Sequence, residues 1–580
     1  MIDTAERVPR FERRFFDPQR RISRIGDGAL GGKAHGLVTA ARVVAARRAE
    51  IEVPGLTLDV PALAVVTTVL FEAFLDRNGL RRLIADDPPQ PVLSQAFRNA
   101  TLPAEWLGDL RSLAQDARVP LACRSSSVLE DALGRPFAGV YGTKMIPGNQ
   151  GDTDARFRAL ADALKFAFAS AFSPSARAYQ RAAGMLPEPE RMAVVVQEVV
   201  GVRHGERFYP DLSGVARSYS FYPVGPALPE EGVVDLAVGL GKTIVDGGLC
   251  WTFSPAHPRV GPPVASARDR VRTTQTELWA LNLGKPPRYD PMMETEYLTR
   301  ASLAEAEADG TLRYAASTYD ADSDRLSPGL SRPGPRVLDF APIVVWNELP
   351  LVPALRKIMA ACEDELSLPV EIEFALSLPL RGPGRLGLLQ VRPLVVSHED
   401  VAIDDAEIAG PRALVVSDAA LGNGRHEMRD VVYVEPESFE ARLTPTIADE
   451  IERLDRSLRE DGRPYLLIGF GRWGSSDPWL GIPVRWDQIA GARGIVEATL
   501  PQMNTEPSQG THFFHNLSSF GVLYFTVAHD RGRGVDWGWL ERQETAARTD
   551  HVRHVRTREP LVAKADGRRR LGIVLRPEER

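Results

Sequence analysis

Apolar positions recur along the first four hundred residues in two patterns, one typical of helices and one typical of strands. Residues 34–48 carry apolar side chains three or four positions apart, from Leu37 to Ala45, which predicts a helix. Short apolar runs bounded by polar or turn residues predict buried strands, namely 62–67, 120–124, 191–200, 233–238, 370–376 and 387–391. The mixture predicts an α/β (α+β) fold.

The pattern changes twice further along the chain. Residues 252–345 are irregular and proline-rich in places, with helices predicted near 270–282 and 291–307. Residues 397–410 are polar and acidic, which indicates a linker. Four parts are therefore expected: a charged extension at 1–20, a large region at 21–396, the linker at 397–410 and a smaller α+β domain at 411–580.

Composition narrows the class of protein. The net charge of -7 and the pI near 5.9 argue against a nucleic-acid partner. No apolar run approaches the roughly 20 residues that span a bilayer, and the first twenty residues lack the apolar core of a signal peptide. Cys123, Cys250 and Cys362 show no paired spacing, so neither disulfides nor a zinc site is expected. We expect a cytoplasmic enzyme.

A glycine loop, Gly31-Gly32-Lys33, precedes the first predicted helix and holds one of only seven lysines in the chain. A helix that starts at such a loop directs backbone N–H groups and its positive dipole end at an anion. Lys33 suits a phosphate, although the spacing is not that of a Walker A loop. The alternative is a glycine loop with a surface lysine.

Arg124 ends a predicted strand and is followed by three serines and then Glu130 and Asp131. Its guanidinium offers a planar fork of donors that suits a phosphate. The alternative is an arginine held by one of the two acids.

Two neighbouring apolar segments carry an acid, an amide and an arginine. Glu373 and Gln390 suit a shared Mg²⁺ ion, and Arg392 suits the charge on a transferring phosphoryl group. The alternative is a β-hairpin with an ordinary ion pair.

Two further segments suit a nucleotide. Gln197 and Glu198 end an apolar strand, where the backbone of a hinge can recognise adenine. Gly239 and Gly241 allow the backbone to approach a ligand, although a tight turn would explain them as well.

Taken in chain order, these segments resemble the ATP-grasp nucleotide-binding domain of phosphoenolpyruvate synthase and pyruvate phosphate dikinase, which rifampin phosphotransferase and the glucan water dikinases share. The matching segments are Gly31 to Leu37, Arg124 to Ser126 with Glu130-Asp131 and Phe137 to Gly139, Val194 to Gln197, Ser213 to Ala216 with Pro223-Val224, Gly239 to Gly241, Glu371 to Ala375, and Leu389 to Pro393. The resemblance covers roughly residues 20–396.

The resemblance implies ATP bound between two lobes, at residues 21–205 and 206–396. It assigns Lys33, Arg124 and Arg392 to the phosphates, Glu373 and Gln390 to Mg²⁺, and the Gln197 segment to the adenine. The nucleotide site that it implies comprises Gly32, Lys33, Arg124, Gln197, Glu198, Asp235, Gly239, Gly241 and Arg392.

Three departures from the family pattern bear on catalysis. Lys242 stands where the family commonly has an acid, Asp235 replaces a usual glutamate, and residues 377–385 form a longer insertion. The family's phospho-histidine motif and pyruvate-binding barrel are not found. The nearest fragment holds His512 and His515, which are either phosphoacceptors or core and turn histidines.

The region 411–580 is expected to be a different module. Its glycine-rich loop suits an acceptor, with Arg472 for an anion, Trp473 or Trp479 as a stacking surface and Asp477 as a base. A structural glycine–tryptophan turn is the equal alternative.

These residues and the resemblance predict an ATP- and Mg²⁺-dependent phosphotransferase whose acceptor is unknown, pyruvate being one option. Two rivals stay open. One is a split phosphoenolpyruvate synthase that needs a partner chain, or a homodimer. The other is a nucleotide-sensing binding protein without turnover.

Overall fold

The chain folds into two compact units that mix helices and strands. The computed structural model describes residues 8–18, 20–127, 141–174, 176–177, 180, 191–220, 223–262, 266–379, 381–394, 401–475, 477–501, 503, 521–529, 534–567 and 569–577. One unit lies within residues 8–394 and the other chiefly within 401–577. The mixed α/β class agrees with the sequence-based prediction. In the part of the chain described, no helix has the length and apolar character needed to cross a membrane.

Eighteen strands and twelve α-helices are described in the first unit. The strands are β1 (Ile22–Ile25), β2 (Leu56–Asp59), β3 (Leu63–Val66), β4 (Leu121–Ser127), β5 (Thr143–Ile146), β6 (Met192–Glu198), β7 (Val202–His204), β8 (Arg207–Tyr209), β9 (Leu212–Arg217), β10 (Val233–Ala237), β11 (Trp251–Phe253), β12 (Glu277–Asn282), β13 (Leu298–Ser302), β14 (Ala316–Asp320), β15 (Arg325–Pro328), β16 (Arg336–Leu338), β17 (Val370–Ser377) and β18 (Gly384–Pro393). The helices are α1 (Gly32–Ala46), α2 (Arg48–Ile51), α3 (Thr68–Arg77), α4 (Leu80–Ala85), α5 (Gln90–Asn99), α6 (Ala104–Asp116), α7 (Thr153–Ser170), α8 (Lys242–Val245), α9 (Ala267–Arg272), α10 (Leu303–Ala308), α11 (Ala341–Val344) and α12 (Leu351–Leu366).

Two sheets position the site in this unit. The first sheet has the strand order β1-β3-β6-β4-β5, and the second has the order β11-β10-β9-β17-β18-β2. Helix α1 contacts β4 of the first sheet and β18 of the second. An apolar core that includes Leu37, Val195, Ile372 and Val391 joins α1 to both sheets. Two smaller sheets, β13-β12-β8-β7 and β15-β14-β16, complete the unit.

The helix predicted near residues 270–282 is wrong beyond Arg272. Helix α9 ends at Arg272, and Glu277–Asn282 forms β12, which pairs antiparallel with β8 and β13. The prediction near 291–307 is wrong over its first part, because Leu298–Ser302 forms β13 and the short helix α10 begins only at Leu303. Strand pairing with distant residues decides such segments, since β propensity depends on the tertiary context.

The second unit is built on one large sheet. Its elements are α13 (Asp405–Ala409), β19 (Ala413–Ser417), β20 (Ala419–Leu421), β21 (Asn423–Val434), α14 (Thr444–Glu460), β22 (Tyr465–Phe470), β23 (Arg472–Trp473), β24 (Gly481–Ile482), β25 (Ala492–Ala498), β26 (Leu523–Val527), α15 (Trp537–Glu541), β27 (Thr545–Arg548), β28 (Val552–Asp566) and β29 (Leu571–Leu575). The strand order is β19-β29-β28-β21-β22-β25-β26-β20. Only Asp418 separates β19 from β20, so these consecutive strands bring the two edges of the sheet together around an apolar core.

Candidate functional site

The glycine loop is fixed against the end of β4. Gly31 has a φ of 76°, and a Cβ atom on it would lie 1.8 Å from the backbone oxygen of Ser126. The Ser126 hydroxyl accepts a hydrogen bond from the Ala34 N–H at 3.1 Å and donates one to the Leu30 carbonyl at 2.9 Å. Only glycine fits this contact, which sets where α1 begins.

Lys33 lies in the first turn of α1 and is buried, which rules out the surface-lysine alternative. Three residues later, a Cβ atom on Gly36 would lie 2.0 Å from the Val391 carbonyl oxygen. Helix α1 therefore packs directly on the backbone of β18. This contact holds the first turn of α1 close to both β4 and β18.

Arg124 reaches from β4 to the β17–β18 hairpin. Its Nη2 donates to Glu373 Oε2 at 2.5 Å and to Gln390 Oε1 at 3.0 Å, and its Nη1 donates to the Leu389 carbonyl at 2.6 Å. Arg124 and Glu373 are 249 residues apart in the chain. We refer to Arg124, Glu373 and Gln390 as the Arg124 cluster.

The register of the β17–β18 hairpin places two polar pairs side by side. Glu373 lies opposite Gln390, and Glu371 lies opposite Arg392. Because residues two apart on a strand face the same side, all four side chains share one face of the second sheet. The intervening residues belong to the apolar core on the other face.

A second group of charged residues lies on the same face. Arg392 Nε donates to Glu371 Oε1 at 2.8 Å, and Arg217 Nε donates to Glu371 Oε2 at 2.7 Å. Arg217 Nη1 also donates to Asp235 Oδ2 at 2.8 Å, and the Thr252 hydroxyl donates to Asp235 Oδ1 at 2.6 Å. We refer to Arg392, Glu371, Arg217 and Asp235 as the Arg217 network; all four side chains are buried.

This network accounts for two side chains that the sequence leaves without a role, Glu371 and Arg217. Burial alone would lower the pKa of Arg217, but the carboxylates of Glu371 and Asp235 raise it above its ordinary value. Asp235 is thus held by Arg217 in the structure, and its contact with a nucleotide remains a prediction. An arginine that directly follows the apolar residues Val215 and Ala216 was the available sequence signal for Arg217.

Gln197 faces the same side of the first sheet as Arg124, because it lies opposite Ala122 on β4, two residues before Arg124. Its side chain is 2% exposed, and its Nε2 has no hydrogen-bond partner among the residues described. A buried amide nitrogen without a partner is costly, so this position suits a contact with a ligand.

Glu198 has a different environment. Its carboxylate accepts from Arg385 Nη1 at 2.6 Å and from Arg385 Nη2 at 2.9 Å. Arg385 also contacts Asp59. The side chain of Glu198 therefore anchors the end of the insertion at 377–385, and adenine recognition by its backbone remains a prediction.

The Gly239 turn packs on β12. Gly239 has a φ of 83°, and a Cβ atom on it would lie 2.7 Å from the Trp279 carbonyl oxygen. At Gly241 a Cβ atom would make only ordinary contact, 3.6 Å from Ser213 Cβ. Lys242 Nζ lies 3.3 Å from a carboxylate oxygen of Glu294. The turn alone explains Gly239, as the tight-turn alternative anticipates.

In the second unit, Trp473 does not form a stacking surface. Its side chain is 1% exposed, its Nε1 donates to the Val496 carbonyl at 3.0 Å, and a Cβ atom on Gly469 would lie 2.5 Å from its ring. Trp479 is 67% exposed, and its backbone N–H donates to Asp477 Oδ1 at 2.9 Å. Arg472 is half-buried. Trp473 is therefore part of the packed core, which corrects its prediction as a ligand contact.

Several predicted residues lie outside the part of the chain that the structure describes. These are the acids Glu130 and Asp131, the segment Phe137 to Gly139, and the two histidines His512 and His515.

The mixed α/β unit carries the polar side chains that the resemblance assigns to a nucleotide, and its class of protein follows from a comparison with known families. Residues 28–409 match the family described as pyruvate phosphate dikinase, AMP/ATP-binding domain, and the chain belongs to this family. The match confirms the resemblance, since all seven matching segments, from Gly31 to Pro393, lie within it. The family is one of phosphotransferases.

Proposed function

We propose that the first unit binds ATP with Mg²⁺ in an ATP-grasp site between lobes at 21–205 and 206–396 and transfers a phosphoryl group to an acceptor. The observation that carries this proposal is the convergence of Arg124, Glu373 and Gln390, which brings a phosphate ligand and two metal-type oxygens to one point. The buried Nε2 of Gln197, which has no hydrogen-bond partner in the part of the chain that the structure describes, lies on the same face of the first sheet as Arg124 and supports a place for the adenine.

In this proposal, the protein acts by positioning and charge. Lys33, Arg124 and Arg392 bind the phosphates and stabilise the charge that spreads over the transferring group. Glu371 and Arg217 hold Arg392 in place. The Gly32 and Gly241 segments lie against the nucleotide.

The oxygens of the Arg124 cluster fit Mg²⁺. Glu373 Oε2 and Gln390 Oε1 both lie within 3.0 Å of Arg124 Nη2, so a carboxylate and an amide oxygen already face one positive group. Mg²⁺ takes oxygen ligands and is usually held by one or two carboxylates together with substrate phosphates. When bound, it neutralises negative charge on the phosphates.

The proposal specifies the acceptor only as a molecule or side chain that can receive a phosphoryl group, and pyruvate is one option. In the second unit, Arg472 and Asp477 are the residues proposed to meet it. A partner chain that supplies the acceptor domain is the alternative arrangement.

The test is incubation of the full chain with ATP and Mg²⁺, followed by ³¹P NMR of the nucleotides. AMP indicates dikinase chemistry, and ADP indicates a kinase or ATPase. Binding without turnover, measured by calorimetry, would favour the nucleotide-sensing alternative. Absence of nucleotide binding would contradict the proposal. Arg42→Met is a matched control, because Arg42 forms an ion pair with Glu365 away from the cluster.

A further inference from the structure

Arg124 holds the two proposed metal ligands in a closed arrangement. Its Nη2 lies between Glu373 Oε2 and Gln390 Oε1, and both oxygens accept from that single nitrogen. We propose that Arg124 is an internal counter-ion that closes the metal site until a nucleotide binds, so that the divalent cation enters only with the nucleotide. This inference rests on the proposed function.

The contacts of the guanidinium favour this arrangement in the absence of a nucleotide. Nη1 donates to the Leu389 carbonyl while Nη2 contacts both neighbouring side chains, so the fork contacts both β17 and β18. Charge-assisted hydrogen bonds of this kind are about twice as strong as neutral ones. A cation bound between the same two oxygens would have to take the position that Arg124 Nη2 occupies.

Charge opposes entry of a free cation. The guanidinium carries one positive charge at the position where a divalent cation would bind, and it already compensates the Glu373 carboxylate. A divalent cation next to the guanidinium is repelled, and the repulsion is stronger in a partly buried site than in water. The side chains of Arg124 and Glu373 are only 12% and 16% exposed, so solvent screens this repulsion weakly.

A bound polyphosphate competes with Glu373 and Gln390 for the guanidinium of Arg124. Phosphate oxygens are strong acceptors that match the arginine fork and carry more charge than one carboxylate. If Arg124 turns to them, it no longer compensates the charge of the partly buried Glu373 carboxylate, which favours entry of a cation. Nucleotide and metal binding are then coupled, and the coupling is reciprocal.

The first experiment measures Mn²⁺ binding by EPR without nucleotide, because Mn²⁺ accepts the same oxygen ligands as Mg²⁺. We expect Arg124→Met to bind one Mn²⁺ at least about tenfold more tightly than the unchanged protein. In a double variant that carries both Arg124→Met and Glu373→Gln, the Mn²⁺ site gained by the first substitution should be lost. Arg42→Met, which frees Glu365 instead, should change nothing. Equal Mn²⁺ affinity in the folded Arg124→Met variant and the unchanged protein would overturn the inference.

The second experiment keeps Arg124 and measures binding of a non-hydrolysable ATP analogue in excess EDTA. Glu373→Gln should tighten this metal-free binding by about fivefold or more, because Arg124 is released toward the phosphates. If Glu373 were only a metal ligand, its replacement would leave metal-free binding of the nucleotide unchanged. That result would also overturn the inference. This second experiment tests the inference even if the Arg124→Met variant does not fold. If the unchanged protein binds no nucleotide at all, the proposed function itself fails.

Discussion

The Arg124 cluster and the Arg217 network lie on the same face of the second sheet, but their arginines come from different places. Arg124 reaches its partners from β4 of the first sheet. In the network, Arg217, Glu371 and Arg392 come from the adjacent strands β9, β17 and β18 of one sheet. Arg217 and Glu371 are 6% and 3% exposed, less than Arg124 and Glu373.

The difference indicates a division of tasks. An ion pair between adjacent strands of one sheet is fixed by the backbone register, so the Arg217 network holds Arg392 in one orientation. An ion pair between two sheets can be exchanged when a side chain turns to a new partner. The cluster is therefore suited to respond to a ligand, and the network is suited to preorganisation.

The largest expected effect is on turnover. Under the proposed function, Arg124→Met and Arg392→Met should each lower kcat/KM for ATP about 10³-fold, or about 4 kcal/mol, because each removes a positive charge from the transferring group. Nucleotide consumption followed by ³¹P NMR measures this, with Arg42→Met as control. Activity of Arg392→Met equal to that of the unchanged protein would remove Arg392 from the site.

The next largest effect distinguishes the Arg217 network from the Arg124 cluster by how much each contributes to the free energy of unfolding. Arg217→Met should lower the free energy of unfolding by about 3–5 kcal/mol, because it leaves two buried carboxylates short of a counter-ion. Arg124→Met should cost less, about 1–2 kcal/mol, because only one carboxylate loses its counter-ion and the Glu373 side chain is 16% exposed, against 3% for Glu371 and 2% for Asp235. Urea denaturation gives both values. Similar losses of unfolding free energy in the two variants would contradict the difference that we propose between the network and the cluster.

The smallest effect concerns Asp211, a carboxylate that directly precedes β9 and is not held by these arginines. Burial raises the pKa of Asp211 to about 6, although the Leu378 N–H, which donates to it at 2.7 Å, opposes the shift. Its folded pKa lies above the unfolded value, so its favourable contribution is complete below about pH 4 and is lost as pH rises through about 6.

Asp211→Asn should therefore stabilise the protein at pH 8 by about 1–3 kcal/mol and change little near pH 4. Urea unfolding of both proteins at several pH values measures the difference. A constant difference across this range would show that the titration of Asp211 does not contribute.

Much of the local structure followed from the sequence. The β17–β18 pair and helix α1 were predicted because a short hairpin and a helix with regular apolar spacing are encoded by nearby residues. The family was also identified from the order of seven short segments, and the comparison confirms it. The residues proposed for the phosphates and the metal came from the chemistry of their side chains and from that resemblance, not from periodicity.

Other features depended on residues far apart in the chain. Residues 277–282 became a strand because β8 and β13 pair with them, and Trp473 became a core residue because the second unit packs around its indole. Neither outcome is encoded in the local pattern.

The sequence by itself determined the family, the helix at the glycine loop and the hairpin that carries Glu373 and Gln390. Only the tertiary structure decided that Arg124 closes on those two residues while Arg392 is held by Glu371 and Arg217. The reason is physical: local spacing fixes which face a side chain takes, but the partner of a charge depends on which strands the fold brings together.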